Sequence, residues 1–224
     1  MKRMHQLTIV LALSLLSSPL VLAQNLSKYR TFSLGMHLAE LSKQVDATPG
    51  QVSVICQSPA LIQELIWWPT EFYASAERSD AVEQIRFSFF DRELYKIIAT
   101  YDGPAMQGLT AEDMIQVISA TYGDAVRPPV QANAPEALSY DAAGTQVALW
   151  ENSQNSVTLL RSSLSMSFQL IVLSKQLDGQ AEAAIAEAVK QEHESAPERE
   201  VARLKKEALD LEKTRQANLK AFRP

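Results

Sequence analysis

Residues 82–101 contain two alternating apolar stretches joined by a short polar turn, and this pattern constrains the fold more than any other feature. The first stretch places its apolar side chains on one side of an extended chain, namely Ile85, Phe87 and Phe89. After Asp91 and Arg92, the same alternation predicts a shared face for Tyr95, Ile97, Ala99 and Tyr101. An isolated hairpin is only marginally stable in water. We therefore expect further strands or a helix to cover its apolar face.

Residues 1–23 have the features of a secretory signal peptide. A basic region with Lys2 and Arg3 precedes the apolar run of residues 7–16, and short side chains stand at Val21 and Ala23. The apolar run is too short to cross roughly 30 Å of hydrocarbon as a helix; an uncleaved anchor is the alternative. We expect cleavage after Ala23, a periplasmic or secreted protein, and no stable membrane span in the cleaved chain.

The chain is acidic. It has 21 basic and 26 acidic residues, a formal net charge of −5, and without residues 1–23 it keeps 19 basic residues and a charge of −7. Such a chain offers no electrostatic attraction to nucleic acid or anionic lipid. Because Cys56 is the only cysteine, no internal disulfide can form. Alternation in residues 52–56 predicts that Cys56 is a buried, inert thiol on the same face as Val52 and Val54.

Residues 25–101 are predicted to form a first unit of one helix and four antiparallel strands. The helix carries Leu38, Leu41 and Val45 on one side and ends at Pro49 and Gly50. Strands over residues 51–57 and 61–68 follow, and the hairpin completes the unit.

Residues 102–177 are predicted to form a second unit, whose helix has clear boundary signals. Thr110 and Asp113 have the spacing of a capping box, Leu109 and Met114 that of a hydrophobic staple, and Gly123 marks the end. The predicted buried stripe consists of Met114, Val117, Ile118 and Thr121 or Tyr122. An irregular connection over residues 124–144 precedes strands over 145–150, 157–162 and 167–175. The predicted fold class is α+β, with two helix-plus-antiparallel-sheet units in tandem and a C-terminal helical extension.

Residues 178–224 are predicted to form C-terminal helices of two kinds. The stretch 178–194 has an apolar stripe wide enough to pack on the sheet: Ala181, Ala184, Ile185, Ala188 and Val189. Pro197 then predicts a kink or a new helix. Residues 198–220 are highly charged, and their large apolar residues form only a narrow stripe: Val201, Leu204 and Leu211. This stretch is either a solvated helix or a helix that binds a partner or dimerises.

The residues needed for most catalytic sites are missing. Besides His5 in the predicted signal peptide, only His37 and His193 occur, and no dinucleotide, phosphate-loop, zinc-protease or serine-hydrolase motif is present. We therefore predict no catalytic residues, no cofactor and no metal site. Carboxylate pairs such as Glu64 with Glu71 stay open as an alternative.

The chain contains, in this order, residues 34–36 leading into a helix, the adjacent Trp67 and Trp68, and the hairpin segment 87–97. This order resembles the fold shared by β-lactamase inhibitory protein and the small outer-membrane assembly lipoproteins. The resemblance covers mainly residues 30–101. Arg92 replaces the turn glycine of that pattern, the lipoprotein cysteine is absent, and the C-terminal helix is additional. The resemblance implies a role in protein–protein binding or envelope assembly rather than in catalysis.

Two functions follow as expectations. The first is an exported, non-catalytic binding or envelope-assembly protein that acts through protein–protein contacts, with another envelope protein as its partner. Its candidate partner-binding residues are Trp67, Trp68, Val201, Leu204 and Leu211. The alternative is a periplasmic hydrolase that uses a carboxylate pair. The sequence makes no prediction of oligomeric state.

Overall fold

The computed structural model of the chain describes residues 25–69, 81–102, 106–127, 144–162 and 167–223. Its elements are β1 (Lys28–Tyr29), β2 (Phe32–Ser33), α1 (Leu38–Gln44), a 3-10 turn (Pro49–Gln51), β3 (Val52–Cys56), β4 (Ile62–Trp67), β5 (Val82–Phe90), β6 (Glu93–Tyr101), α2 (Ala111–Tyr122), β7 (Thr145–Glu151), β8 (Asn155–Arg161), β9 (Phe168–Ser174) and α3 (Lys175–Ala221). The predicted α+β class is confirmed. The predicted signal peptide lies outside the described residues, as does most of the predicted irregular connection.

Seven strands form one antiparallel sheet with the order β3-β4-β5-β6-β9-β8-β7. The hairpin β5–β6 lies at its centre. Strand β6 pairs with β9, with Ile97 opposite Val172, so strands from both predicted units belong to the same sheet. The division of the chain into two units remains a prediction. Strands β1 and β2 form a separate pair of two residues each, too short for the sequence pattern to indicate.

The first face of the sheet carries the main hydrophobic core. Helices α1 and α2 contribute Leu41 and Ile118 to a cluster that includes Phe87, Ile97 and Trp150 from the strands. The indole of Trp150 donates a hydrogen bond to the Gly123 carbonyl at 2.8 Å. Because Trp150 satisfies its polar N–H in this way, the strand β7 and the end of α2 are held together within the core.

Helix α2 begins and ends as predicted, but its buried face differs by one position. Thr110 and Asp113 form the capping box, and Gly123 at φ 83° follows the last helical residue. The prediction that Val117 is buried is wrong, because its exposed fraction is 70%. Ile115 takes its place beside Met114 and Ile118. At about 100° per residue, the four buried residues of α2 span one arc of about 100° with Ile115 at its edge, whereas Val117 lies about 60° outside that arc.

Two β-bulges change the predicted faces of the strands. Ser88 pairs with Lys96 and Phe89 with Leu94, so Tyr95 is the extra residue and packs on the second face of the sheet. The prediction that Tyr95 shares a face with Ile97 is therefore wrong. A second irregularity between Val54 and Cys56 places Cys56 on the second face as well, away from Val52. A one-residue shift moves every later side chain to the opposite face. Burial of Cys56 is confirmed, with 7% of the residue exposed.

The first part of α3 packs on the second face of the sheet. Ala181 contacts a small cluster formed by Cys56, Ile62 and Tyr95, and Leu177, Ile185 and Ala188 pack around it. The ammonium of Lys96 on β6 lies 2.8 Å from a carboxylate oxygen of Asp178 in the first turn of α3. Small side chains let the helix approach the sheet closely, and the ion pair fixes its position over β6.

Helix α3 continues through Pro197 without ending. A proline in a helix removes one backbone hydrogen bond to the carbonyl four residues earlier, which is that of His193. Nearby carbonyls accept from side chains instead: the Ser195 hydroxyl donates to Gln191 at 2.7 Å, and the Arg199 guanidinium donates to Glu192 at 3.1 Å. These additional donors satisfy carbonyls in the turn that Pro197 disturbs.

Candidate interaction surface

Residues 189–221 of α3 extend beyond the sheet, and we call this segment the arm. Asp178 lies over β6, and β3 at the edge is three strands away, about 14 Å at the usual strand spacing. Ten helical residues rise about 15 Å, so α3 reaches the β3 edge near Ala188. Burial agrees: all residues from 189 to 223 are exposed except Ser195, which is half-buried. The prediction that Val189 packs on the sheet is therefore wrong, because its exposed fraction is 64%. The arm itself is about 50 Å long at 1.5 Å per residue.

Three of the predicted partner-binding residues lie on the arm and are uncovered. The exposed fractions are 51% for Val201, 51% for Leu204 and 72% for Leu211. With Ala208 they follow a spacing of three, four and three residues, so they form one stripe along the helix. We call Val201, Leu204, Ala208 and Leu211 the arm stripe. Leu209 is also exposed, at 62%, but points about 120° away from the centre of the stripe.

Ion pairs between neighbouring turns follow the surface of the arm. Three pairs join residues three positions apart: Glu200 with Arg203 at 2.6 Å, Asp210 with Lys213 at 3.7 Å, and Glu212 with Arg215 at 2.8 Å. Hydrogen bonds from Arg203 hold the pKa of the Glu200 carboxyl below its usual value. Because these groups are surrounded by water, each pair contributes little to stability. They support helical structure and leave the stripe uncovered.

The two adjacent tryptophans have different environments. Trp67 packs against the main core, and its ring meets the Phe32 ring edge-on at 5.8 Å between centroids. Trp68 follows the end of β4 and is 48% exposed. Because Trp67 packs on the first face of the sheet and α3 lies on the second, the structure does not bring Trp67 and the arm stripe into one cluster. Trp68 remains the tryptophan available for contact.

Strand β3 presents an apolar edge. Within the described part of the chain it pairs only with β4. Val54 and Ile55 are 56% and 55% exposed. An uncharged edge strand is a natural site for pairing with another chain. This edge lies on the side of the molecule from which the arm projects.

The candidate catalytic groups are structural or dispersed. The Nδ1 atom of His37 accepts a hydrogen bond from the Ala39 amide at 3.3 Å, which makes His37 the N-cap of α1. Glu64 lies 3.5 Å from Arg86, and Glu71 falls outside the described residues. The described residues contain no group of three or more His, Cys, Asp or Glu side chains able to hold a metal ion.

A surface hollow of about 460 Å³ lies between α1, β3 and β4. Its walls include His37, Ser42, Gln63 and Arg92, and no carboxylate is among the residues that line it. A hydrolase of the predicted alternative type needs two carboxylates facing one cavity. This hollow therefore does not supply that arrangement.

No helix within the described ranges is long and apolar enough to cross a membrane.

Two structural roles were not predicted from the sequence. The N-cap role of His37 is the first, although residues that accept a hydrogen bond at the start of a helix are a known signal. The ion pair between Lys96 and Asp178 joins residues 82 positions apart. Its only trace in the sequence is a lysine within an otherwise apolar strand.

Comparison with known proteins gives no family assignment. The resemblance of residues 30–101 to the inhibitory-protein and lipoprotein fold therefore remains a prediction. No protein-family model, curated protein or solved structure matches this chain.

Proposed function

We propose that this protein is exported and acts without catalysis, by protein–protein contacts that the arm makes in the bacterial envelope. The observation that carries the proposal is the uncovered arm stripe on a helix about 50 Å long. The domain gains no core from this part of α3. A long helix with exposed leucines on one side is suited to contact with another protein.

The composition of the arm favours contact over a merely solvated spacer. A solvated helix needs charged residues and good helix formers, and the ion pairs around Arg203 and Arg215 supply them. Such a helix needs no large apolar side chains. Leu204 and Leu211 are nevertheless more than half exposed, and they share one face. Burial of this face against a partner would remove apolar surface from water, which favours association.

Export is supported by the pattern of residues 1–23 described above. N-terminal sequencing of the protein recovered outside the cytoplasm should begin at Gln24. A protein that retains Met1 in that fraction would contradict cleavage after Ala23.

Site-specific photo-crosslinking in cells tests the contact directly. A photoreactive residue placed at Leu204 or Leu211 should form adducts of defined mass, because both side chains belong to the stripe. The matched control is Leu209, which is also an exposed leucine on the same helix but points elsewhere. Mass spectrometry of the adducts identifies the protein in contact.

The proposal predicts adducts from positions 204 and 211 and few or none from 209. Equal adducts from all three positions would indicate random collision, and no adducts from any would show that the arm has no partner. Either result would contradict the proposed function. The same reagent at Trp68 tests whether the exposed tryptophan adds a second contact.

A further inference from the structure

We propose that the partner of the arm is a second copy of this chain, bound antiparallel along the arm stripe. This inference rests on the proposed function, because it names the partner of the same surface. Three observations support it: the symmetry of the stripe, the distribution of charge along the arm, and the position of Arg215.

The arm stripe is symmetric about Lys206. When two arms run antiparallel and cross at this residue, Val201 lies opposite the second copy's Leu211, and Leu204 lies opposite its Ala208. Every contact across the seam then joins two apolar side chains, and all four stripe positions are used in both copies. Contacts that obey a two-fold axis use the same patch on both chains, so the patch must be complementary to itself. The stripe meets this requirement.

Charge along the arm changes sign from one end to the other. Residues 189–200 contain four acidic and two basic residues, and residues 212–223 contain four basic residues and one acidic residue. Antiparallel pairing about Lys206 places these two segments side by side, since residue 200 lies opposite 212 and residue 189 opposite 223. The two segments carry net charges of −2 and +3, so they attract each other as a whole, although Glu200 faces Glu212. Parallel pairing would place like charge beside like charge.

Arg215 continues the stripe spacing beyond Leu211 and therefore discriminates between the two orientations. In a parallel pair, Arg215 would face Arg215 of the second copy across the seam, and the two like charges would repel each other. In the antiparallel pair it lies opposite the second copy's Pro197, next to Glu198 and Glu194. Arg215 then meets an acidic segment, and the stripe is limited to the two heptads between Pro197 and Arg215.

The antiparallel arrangement separates the two folded domains. Each domain ends near Ala188, which lies 18 residues before the crossing point at Lys206 in each copy, so the two domains stand about 55 Å apart along the helix axis. The β3 edge and Trp68 of each copy stay outside the paired arms. The dimer would therefore present two identical domains at the ends of a helical connector.

Sedimentation velocity of the full cleaved chain over a range of concentrations tests the association. The expected result is a reversible monomer–dimer equilibrium with an elongated dimer. Leu211→Asp should raise the dimer dissociation constant roughly tenfold or more, because it buries an unpaired charge. The matched control Leu209→Asp should change it less than about twofold, since Leu209 points away from the seam. Circular dichroism should show equal helix content in both variants.

Cysteine cross-linking tests the orientation with a separate pair of variants. Glu194→Cys and Asn218→Cys lie opposite each other in the antiparallel dimer but about 36 Å apart in a parallel one. A mixture of the two variants should form the mixed 194–218 disulfide, identified from the linked peptides so that buried Cys56 does not interfere. Disulfides that join 194 to 194 and 218 to 218 would overturn the antiparallel assignment.

The outcomes separate this inference from the function on which it rests. A chain that stays monomeric at all concentrations, or a dimer that tolerates Leu211→Asp, overturns the inference. If the arm of such a monomer cross-links to a different protein in cells, the proposed function stands with another partner. If the arm cross-links to nothing, both fail.

Discussion

The Lys96 ammonium lies 2.8 Å from the Asp178 carboxylate, with side chains only 9% and 17% exposed. This contact joins the central strand β6 to the first turn of α3, where a negative charge also meets the positive end of the helix dipole. Together with the packing of Ala181 in the cluster with Cys56 and Tyr95, it holds the start of α3 on the sheet.

Removal of Asp178 should destabilise the domain. Asp178→Ala leaves the largely buried Lys96 ammonium without its carboxylate, and we expect a loss of about 1.5–3 kcal/mol in the free energy of unfolding. Urea denaturation monitored by tryptophan fluorescence measures this loss. The double variant Lys96→Met, Asp178→Leu should recover much of it, because an apolar pair needs no charge compensation. An Asp178→Ala variant as stable as the wild type would show that the pair does not anchor α3.

Phe87 tests the assignment of the central hairpin. Its side chain is fully buried in the main core, and Phe87→Ala should cost about 3–5 kcal/mol. The matched control is Phe222→Ala, since Phe222 is 74% exposed and its loss should change stability by less than about 0.5 kcal/mol. Denaturation midpoints decide. A Phe87→Ala variant as stable as the control would mean that the hairpin faces are reversed.

The capping box of α2 predicts a specific acid sensitivity. Asp113 accepts hydrogen bonds from the Thr110 hydroxyl at 2.6 Å and from its amide at 2.8 Å, which lower the pKa of Asp113 from 3.8. A carboxyl with a depressed folded pKa stabilises the protein above its unfolded pKa and loses this contribution as pH falls through the folded value. The melting temperature should therefore fall less on acidification below about pH 4 in Asp113→Asn than in the wild type. Equal slopes in the two proteins would contradict this role of Asp113.

Deletion of residues 198–224 should leave the domain folded. The exposed stripe contributes little to the core, so we expect a melting temperature within a few degrees of the full cleaved chain. Differential scanning calorimetry of the two proteins makes the comparison. A truncated protein that fails to fold would show that the arm packs against its own domain.

The elements of this fold were predictable where one signal repeats or two signals agree. Helix α2 has a capping box at Thr110 and a glycine after its last turn, and the central hairpin has a long alternation; both were predicted close to their observed bounds. The errors arose at single residues. Tyr95 and Cys56 changed face because bulges insert one residue into a strand, and an alternating pattern cannot show where a bulge falls.

The candidate site was only partly predictable for a different reason. The arm stripe is a local feature of one helix, so the spacing of Val201, Leu204 and Leu211 was visible in the sequence. The end of the domain near Ala188 depends on where α3 crosses the sheet, and that depends on a contact between Lys96 and Asp178. A contact between residues so distant in the chain leaves no periodic pattern. The environment of Trp67 was likewise set by its packing on Phe32.

Hydrogen–deuterium exchange tests most directly the central claim that α3 packs on its own domain up to Ala188 and binds a second copy of the chain beyond it. Amides in β5, β6 and residues 178–188 should be protected at every protein concentration, because they belong to the folded domain. Amides of residues 198–215 should exchange rapidly in dilute protein and become protected as the concentration rises. Arm amides as protected as those of the sheet, at all concentrations, would contradict the claim.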